Sequence, residues 1–280
     1  MAKIKPDEKK LQELRQAIEA DAPARLEPIL REGVPVDQKI GDESGATLLG
    51  LAIEKNAVNV AKFLISAGAK LDKGPNKPLV YAALFNRKEI AQGLLEAGAN
   101  PNATVSNPDE DVRGETALMY AIDLPEKIGM VELLLEHGAD PTLANSKGET
   151  ALFQAVDYGN LEGVRRLLAA GAKPSGVVLH GLIYRCTRDS LETFKLLIAA
   201  GADLTAQGTR DSHFWGYTAL EAAKGSYKEK AELIDQLSRR RREGWEDETL
   251  ERWKTEAQIF QAMIDALNQA AAVQTETPHP

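Results

Sequence analysis

Few residues in this chain have the type and spacing that chemistry needs. There is one thiol, Cys186, and there are four histidines, His137, His180, His213 and His279. A nucleophilic thiol requires a base within hydrogen-bond reach and donors for a developing oxyanion. Cys186 and His180 have no third group beside them. A zinc site requires several ligands at short spacing, which the histidines lack, and no phosphate-cradling glycine loop follows a strand. The chain is therefore expected to be no enzyme and to hold no metal or cofactor. Its formal charge of −8 disfavours nucleic acid, which is bound mainly through Lys and Arg at the phosphates. A neutral or basic protein partner fits better.

One short segment has the composition of an interface anchor. Arg210, His213, Phe214, Trp215 and Tyr217 bring three aromatic rings and two donors into a few residues, and aromatic and Arg side chains dominate interface energetics. Burial of Phe214 and Trp215 against their own chain is the competing reading.

The elements that would position these groups repeat. Gly-Ala followed by Lys, Asn or Asp recurs at Gly68, Gly98, Gly138, Gly171 and Gly201, with a weaker copy at Gly33. An aliphatic pair stands four and three residues before each glycine, as in Leu94 and Leu95 or Leu167 and Leu168. That pattern predicts a buried helix end followed by a left-handed turn, a conformation that costs a residue with a Cβ roughly 1–2 kcal/mol. A second string, GATLLGLA, GETALMYA, GETALFQA or GYTALEAA, opens at Gly45, Gly114, Gly148 and Gly216. Its Thr suits a helix start, where a hydroxyl can accept from an orphan backbone N–H, and its Leu and Ala face inward. Each unit thus reads helix, tight turn, helix, loop.

These strings resemble the T-P-L-H-x-A signature of ankyrin repeats, whose period is about 33 residues. The best copy runs from Gly138 to Gly171, with Ala151 and Phe153 in place of the usual Pro and His. The resemblance implies an all-α ankyrin-repeat solenoid of about seven helix-turn-helix units with atypical ends. The expected organisation is a tail over 1–8, repeats over 9–244, a C-terminal amphipathic helix over 245–272 packed on the last repeat, and a disordered tail over 273–280. In the sixth unit the first helix is expected to be one turn longer than usual. The seventh is expected to have its second helix over Ser226–Arg242, with a capping box at Ser226 and Glu229. The final helix carries a stripe of Leu250, Trp253, Ala257, Phe260, Ile264 and Leu267, with the spacing of a single buried face. The polar insert Val105 to Arg113 reads as a solvated loop or as part of a binding face.

The family's usual contact surface is made of finger tips and exposed first-helix residues. Carried over by position, it implies Ser146, Lys147, Glu149, Asp157 and Tyr158 in the best repeat. Elsewhere it implies Glu54 and Lys55, Leu84 and Phe85, Val112, Arg113 and Glu115, Asp123 and Leu124, and Tyr184 and Arg185. Apolar side chains at surface positions mark a binding site, unless they pack between adjacent first helices. The leading reading is a non-catalytic scaffold or adaptor for a protein partner. The alternative is a dedicated inhibitor or immunity-type protein that occludes a basic toxin or enzyme. With no apolar stretch near the roughly 18 residues of a membrane span and no apolar signal core, the expected setting is a monomer in the cytoplasm.

Overall fold

The computed structural model describes residues 6–40, 46–72, 77–107, 112–175, 178–208, 216–239 and 246–276. The chain divides into two compact units, Met1–Ala151 and Leu152–Pro280.

In the first unit the helices come in pairs: α1 (Glu8–Glu19) with α2 (Pro23–Arg31), α3 (Leu48–Glu54) with α4 (Val58–Ser66), α5 (Pro78–Leu84) with α6 (Lys88–Glu96), and α7 (Ala117–Ala121) with α8 (Ile128–Glu136). First helices stack on first helices, α1 on α3 on α5 on α7, and second helices on second helices, α2 on α4 on α6 on α8. The aliphatic pairs supply the core: Leu64, Leu94 and Leu134 are fully buried. The Thr residues cap as expected. Thr47 accepts from the Gly50 N–H at 3.2 Å and Thr116 from the Met119 N–H at 3.3 Å, whereas Lys77, which has no acceptor, is followed by Pro78 at the first helical position.

The turn between α1 and α2 is made by left-handed Asp21 (φ 47), and in the next two pairs the left-handed residue falls nine positions after the capping position. Asn56 (φ 57) and Asn86 (φ 54) occupy it after Thr47 and Lys77; Asn is among the side chains that tolerate this region best. After Thr116 the same position holds Pro125, whose ring fixes φ near −65°. Helix α7 accordingly stops after five residues, and the chain recrosses through a 3-10 turn, Pro125–Lys127.

The insert expected to be a loop is an antiparallel hairpin at its base, β1 (Thr104–Asn107) with β2 (Val112–Thr116). Val105 pairs with Glu115 and Ser106 with Arg113, so Gly114 is the extra residue of a bulge, with φ 86. A Cβ there would stand 3.6 Å from the Asn145 Cα in the next finger. These two short strands are added to an otherwise helical architecture.

The second unit holds α9 (Ala151–Tyr158), α10 (Leu161–Ala169), α11 (Val178–Arg185), α12 (Arg188–Ala199), α13 (Ala219–Arg239) and α14 (Glu246–Glu276). Helix α10 packs on α12 and α12 on α14, while α11 packs on α13. Gly159 (φ 71) and Cys186 (φ 42) make the left-handed turns. The sixth unit's extra turn lies in its second helix and not in its first. Helix α11 has eight residues, like α9, whereas α12 has twelve, opened by Thr187, which accepts from the Ser190 N–H.

The seventh unit also departs from expectation. Its left-handed position, nine after Thr218, is Tyr227, a bulky residue for which positive φ is a true outlier. The helix therefore continues, and α13 spans 21 residues without a break. The capping box sits at its start: Thr218 Oγ1 accepts from the Glu221 N–H, and the Glu221 carboxylate accepts from the Thr218 N–H at 2.8 Å. Helix α14 packs on α12, the place a second helix takes in the other pairs. It runs to Glu276, four residues past the expected end at 272. Of its stripe, Phe260, Ile264 and Leu267 are buried together with Ile259 and Met263, while Leu250, Trp253 and Ala257 are half-buried.

Candidate functional site

Ten of the surface residues expected to bind a partner stand at or just past the carboxyl ends of first helices, and the others that are described lie in the fingers. In the first unit Glu54 ends α3 and Lys55 follows it; the two are exposed and joined at 2.9 Å. Leu84 ends α5 and is 37% exposed. Phe85 after it is half-buried, edge-on to Tyr81 with ring centroids 5.6 Å apart and with the Arg87 guanidinium over its face. Leu124 follows α7 and is 45% exposed. Asp123 beside it is half-buried and pairs with Lys127 at 2.9 Å.

Two cations that the sequence reading did not single out hold these helix ends. Arg87 donates to the carbonyls of Ile53 and Glu54 at 3.3 and 3.2 Å. Lys127, 5% exposed, donates to the carbonyls of Leu84 and Tyr120 at 3.0 and 3.2 Å as well as to Asp123. Each cation thus sits on the last carbonyls of the preceding repeat's first helix, where partial negative charge accumulates. A basic residue just before a second helix was the available signal.

The fingers are tied in the same way. Glu115 in β2 accepts from the Tyr120 hydroxyl. Ser146 and Lys147 are exposed at a tip closed by buried Asn145, whose Oδ1 accepts from the Lys147 and Glu149 N–H groups at 3.0 Å, while its amide donates to Glu149 at 2.9 Å. Finger bases link along the unit: Asp37 accepts from the Lys70 N–H at 2.8 Å and Asn102 from the Asp140 N–H at 2.7 Å. Val112 and Arg113 lie in β2.

In the second unit Asp157 and Tyr158 end α9, and Tyr184 and Arg185 end α11. Arg185 donates to Asp157 at 2.7 Å, which brings the two helix ends together. Tyr158 is 56% exposed and Tyr184 63%. Tyr217 is exposed too, and its carbonyl is the acceptor for the ring Nε2 of buried His180 at 2.8 Å, so that nitrogen carries the proton. His180 anchors the base of the second long finger, and the Gly208 N–H donates to the same carbonyl at 3.0 Å. Arg210, His213, Phe214 and Trp215 lie outside the described residues.

Cys186 is held as the neutral thiol. Burial, and to a lesser extent the nearby Glu256 charge, pushes its thiol up to about 12, and its Sγ lies 3.5 Å from the Glu256 carbonyl. Among the described residues no group of three or more His, Cys, Asp or Glu could hold a metal ion, and no helix is long and apolar enough to cross a membrane.

A family model for ankyrin repeats, three copies, matches residues 14–105 and 104–176. An ankyrin repeat-containing protein of Treponema pallidum (strain Nichols) is 33% identical over 114 residues, 39% of this chain and 36% of its own length. The B-cell lymphoma 3 protein homolog of Mus musculus is 29% identical over 198 residues, 66% of this chain and 42% of its own. This chain therefore spans little more than a third of the first relative and less than half of the second. Among solved structures, the ankyrin repeat domain of Bcl-3 aligns with a TM-score of 0.58 at 25% identity, covering 75% of this chain and 92% of that one. The human ASB11 ankyrin repeat domain aligns at 0.57 with 21% identity, covering 75% and 90%, a likeness of fold.

Proposed function

The chain belongs to the ankyrin-repeat family, whose repeats are generally non-catalytic protein–protein interaction modules, and we propose that it is a scaffold holding a protein partner against its first-helix ends and finger bases. The observation that carries this reading is the recurrence of apolar side chains at one exposed register: Leu84 and Leu124 in the first unit, Tyr158 and Tyr184 in the second. Side chains serving only to pack neighbouring helices would be buried, as Leu94 and Leu134 are. Covering a large apolar side chain is worth about 1.5–3 kcal/mol, and at these positions that gain is left for a partner. Glu54, Lys55, Asp123, Asp157 and Arg185 give the anchors a charged rim, the usual anatomy of an interface. The chain's net charge favours a neutral or basic partner, and the proposed setting is the cytoplasm.

The test is affinity capture with the tagged protein, read by mass spectrometry, beside two variants, Leu84→Ser with Leu124→Ser and Tyr158→Ala with Tyr184→Ala. The expected result is a partner retained by the parent chain and lost by at least one variant whose thermal melt is unchanged. A partner retained equally by all three would overturn the proposed site.

A further inference from the structure

The first helices of the first unit end on carbonyls that water could satisfy, yet two of these ends are held by side chains from the following pair. Arg87 and Lys127 stand at the same structural place, the amino-terminal cap of a second helix, α6 and α8 respectively. Neither suits that place. A cap should accept from orphan N–H groups, as Asn160 and Thr187 do at α10 and α12, and as Asp21 does from the preceding pair for α4. A cation has no acceptor and meets the positive end of its own helix. What the two cations serve lies across the repeat boundary, on the ends of α3 and α5.

Lys127 goes further than Arg87. Its ammonium has three N–H donors, and three groups take them: the Leu84 carbonyl at 3.0 Å, the Tyr120 carbonyl at 3.2 Å and the Asp123 carboxylate at 2.9 Å. One charge thus bridges two neighbouring first helices, each with an exposed leucine at its end: Leu84 closes α5, and Leu124 stands just past α7. At 5% exposure and with its donors taken, Lys127 does not itself reach a partner. A buried ion pair is weak evidence for stability, because an apolar pair of similar volume often serves as well. What the ammonium supplies, and water or a methyl group would not, is a fixed spacing between the two helix ends. We infer that Lys127 is a positioning residue of the partner surface: it holds Leu84 and Leu124 at one separation, so that a partner meets them as a single anchor. The inference rests on the reading of the first-helix ends as the site. Anchors already in place lose less freedom on binding and bind more tightly.

Two variants of the full chain test it, Lys127→Met and Lys127→Arg, the second placing there the side chain that the preceding pair uses. Amide hydrogen exchange, read by nuclear magnetic resonance, needs no partner. The Phe85 and Asn86 N–H groups bond to the Tyr81 and Ala83 carbonyls at 3.0 and 3.1 Å. In the Met variant their exchange should speed up about tenfold more than that of Ala61 and Leu64 in the body of α4, and the Arg variant should stay near the parent. An even rise along the unit means that Lys127 only adds stability, and no rise means that it fixes nothing; either overturns the inference. Titration calorimetry against the partner captured in the preceding test then reads the anchor. Replacing Leu84 and Leu124 by Ala should be non-additive in the parent and additive in the Met background. Per folded molecule the Met variant should bind about tenfold or more weakly, with Arg restoring affinity. Parental affinity of the Met variant overturns the inference alone, whereas a partner indifferent to Leu84 and Leu124 contradicts the reading of the surface and takes the anchor with it.

Discussion

Leu94 and Leu124 are the same residue thirty positions apart, and the first unit treats them in opposite ways. Leu94, in the body of a second helix, is fully buried, while Leu124, just past the end of a first helix, is 45% exposed. The second unit repeats the contrast with Leu167, fully buried in α10, and Tyr158, 56% exposed at the end of α9. Second-helix bodies hold each unit together. First-helix ends expose comparable apolar surface that contributes little to the fold. On the proposed reading, stability and recognition fall to different registers of one repeat, and substitutions can separate them.

The largest expected effect is on the stability side. Leu94→Ala, or Leu167→Ala in the second unit, should lower unfolding free energy by about 2–5 kcal/mol through a core cavity, measured by denaturant titration; a loss under about 1 kcal/mol would break the contrast. Next comes Lys127→Met. It leaves the Leu84 and Tyr120 carbonyls and Asp123 without their cation, at an expected cost of about 2–3 kcal/mol. That substitution sharpens the comparison, because Lys127 stabilises the very helix ends that expose Leu84 and Leu124.

A smaller effect is expected at Glu256. Burial by itself would raise its carboxyl, but the bonds from Lys230 and Arg252 outweigh burial and hold it below the usual carboxylate range. A depressed carboxyl stabilises the fold above its unfolded pKa and ceases to do so as pH falls through its folded value. Glu256→Gln should thus cost about 1 kcal/mol at pH 7, with the difference from the parent starting to shrink below about pH 4.3 and disappearing once pH passes the depressed folded value. A difference in melting temperature that persists at acid pH would show that packing, and not the charge, holds α14 there.

Much of this division was legible in the sequence. The glycines, the capping threonines and the aliphatic pairs fix the register, and the resemblance to ankyrin repeats, carried over by that register, implies exposed positions for Leu84, Leu124, Tyr158 and Tyr184. What escaped depends on contacts between distant residues or on the left-handed turn position. Burial of Lys127 follows from the Leu84 carbonyl 43 residues away. Asn145 and His180 close fingers through bonds that no local pattern announces. Tyr227 and Pro125 were readable signals once the nine-residue step from cap to turn is known: Pro125 shortens α7, and Tyr227 prevents a turn so that α13 runs through. The extra turn of the sixth unit belongs to its second helix and not to its first, because Thr187 caps α12 early.

The smallest expected change in stability accompanies the most direct test of the division between fold and recognition. Leu124→Ala and Tyr158→Ala should each leave the thermal melt within about 0.5 kcal/mol of the parent. Titration calorimetry against the captured partner should show at least one of them losing about 2 kcal/mol of binding free energy, roughly thirtyfold in affinity. Leu94→Ala should do the reverse, with a large loss of stability and near-parental affinity for the fraction that remains folded. If both surface variants bind like the parent, or both unfold with it, the first-helix ends are not the partner's site.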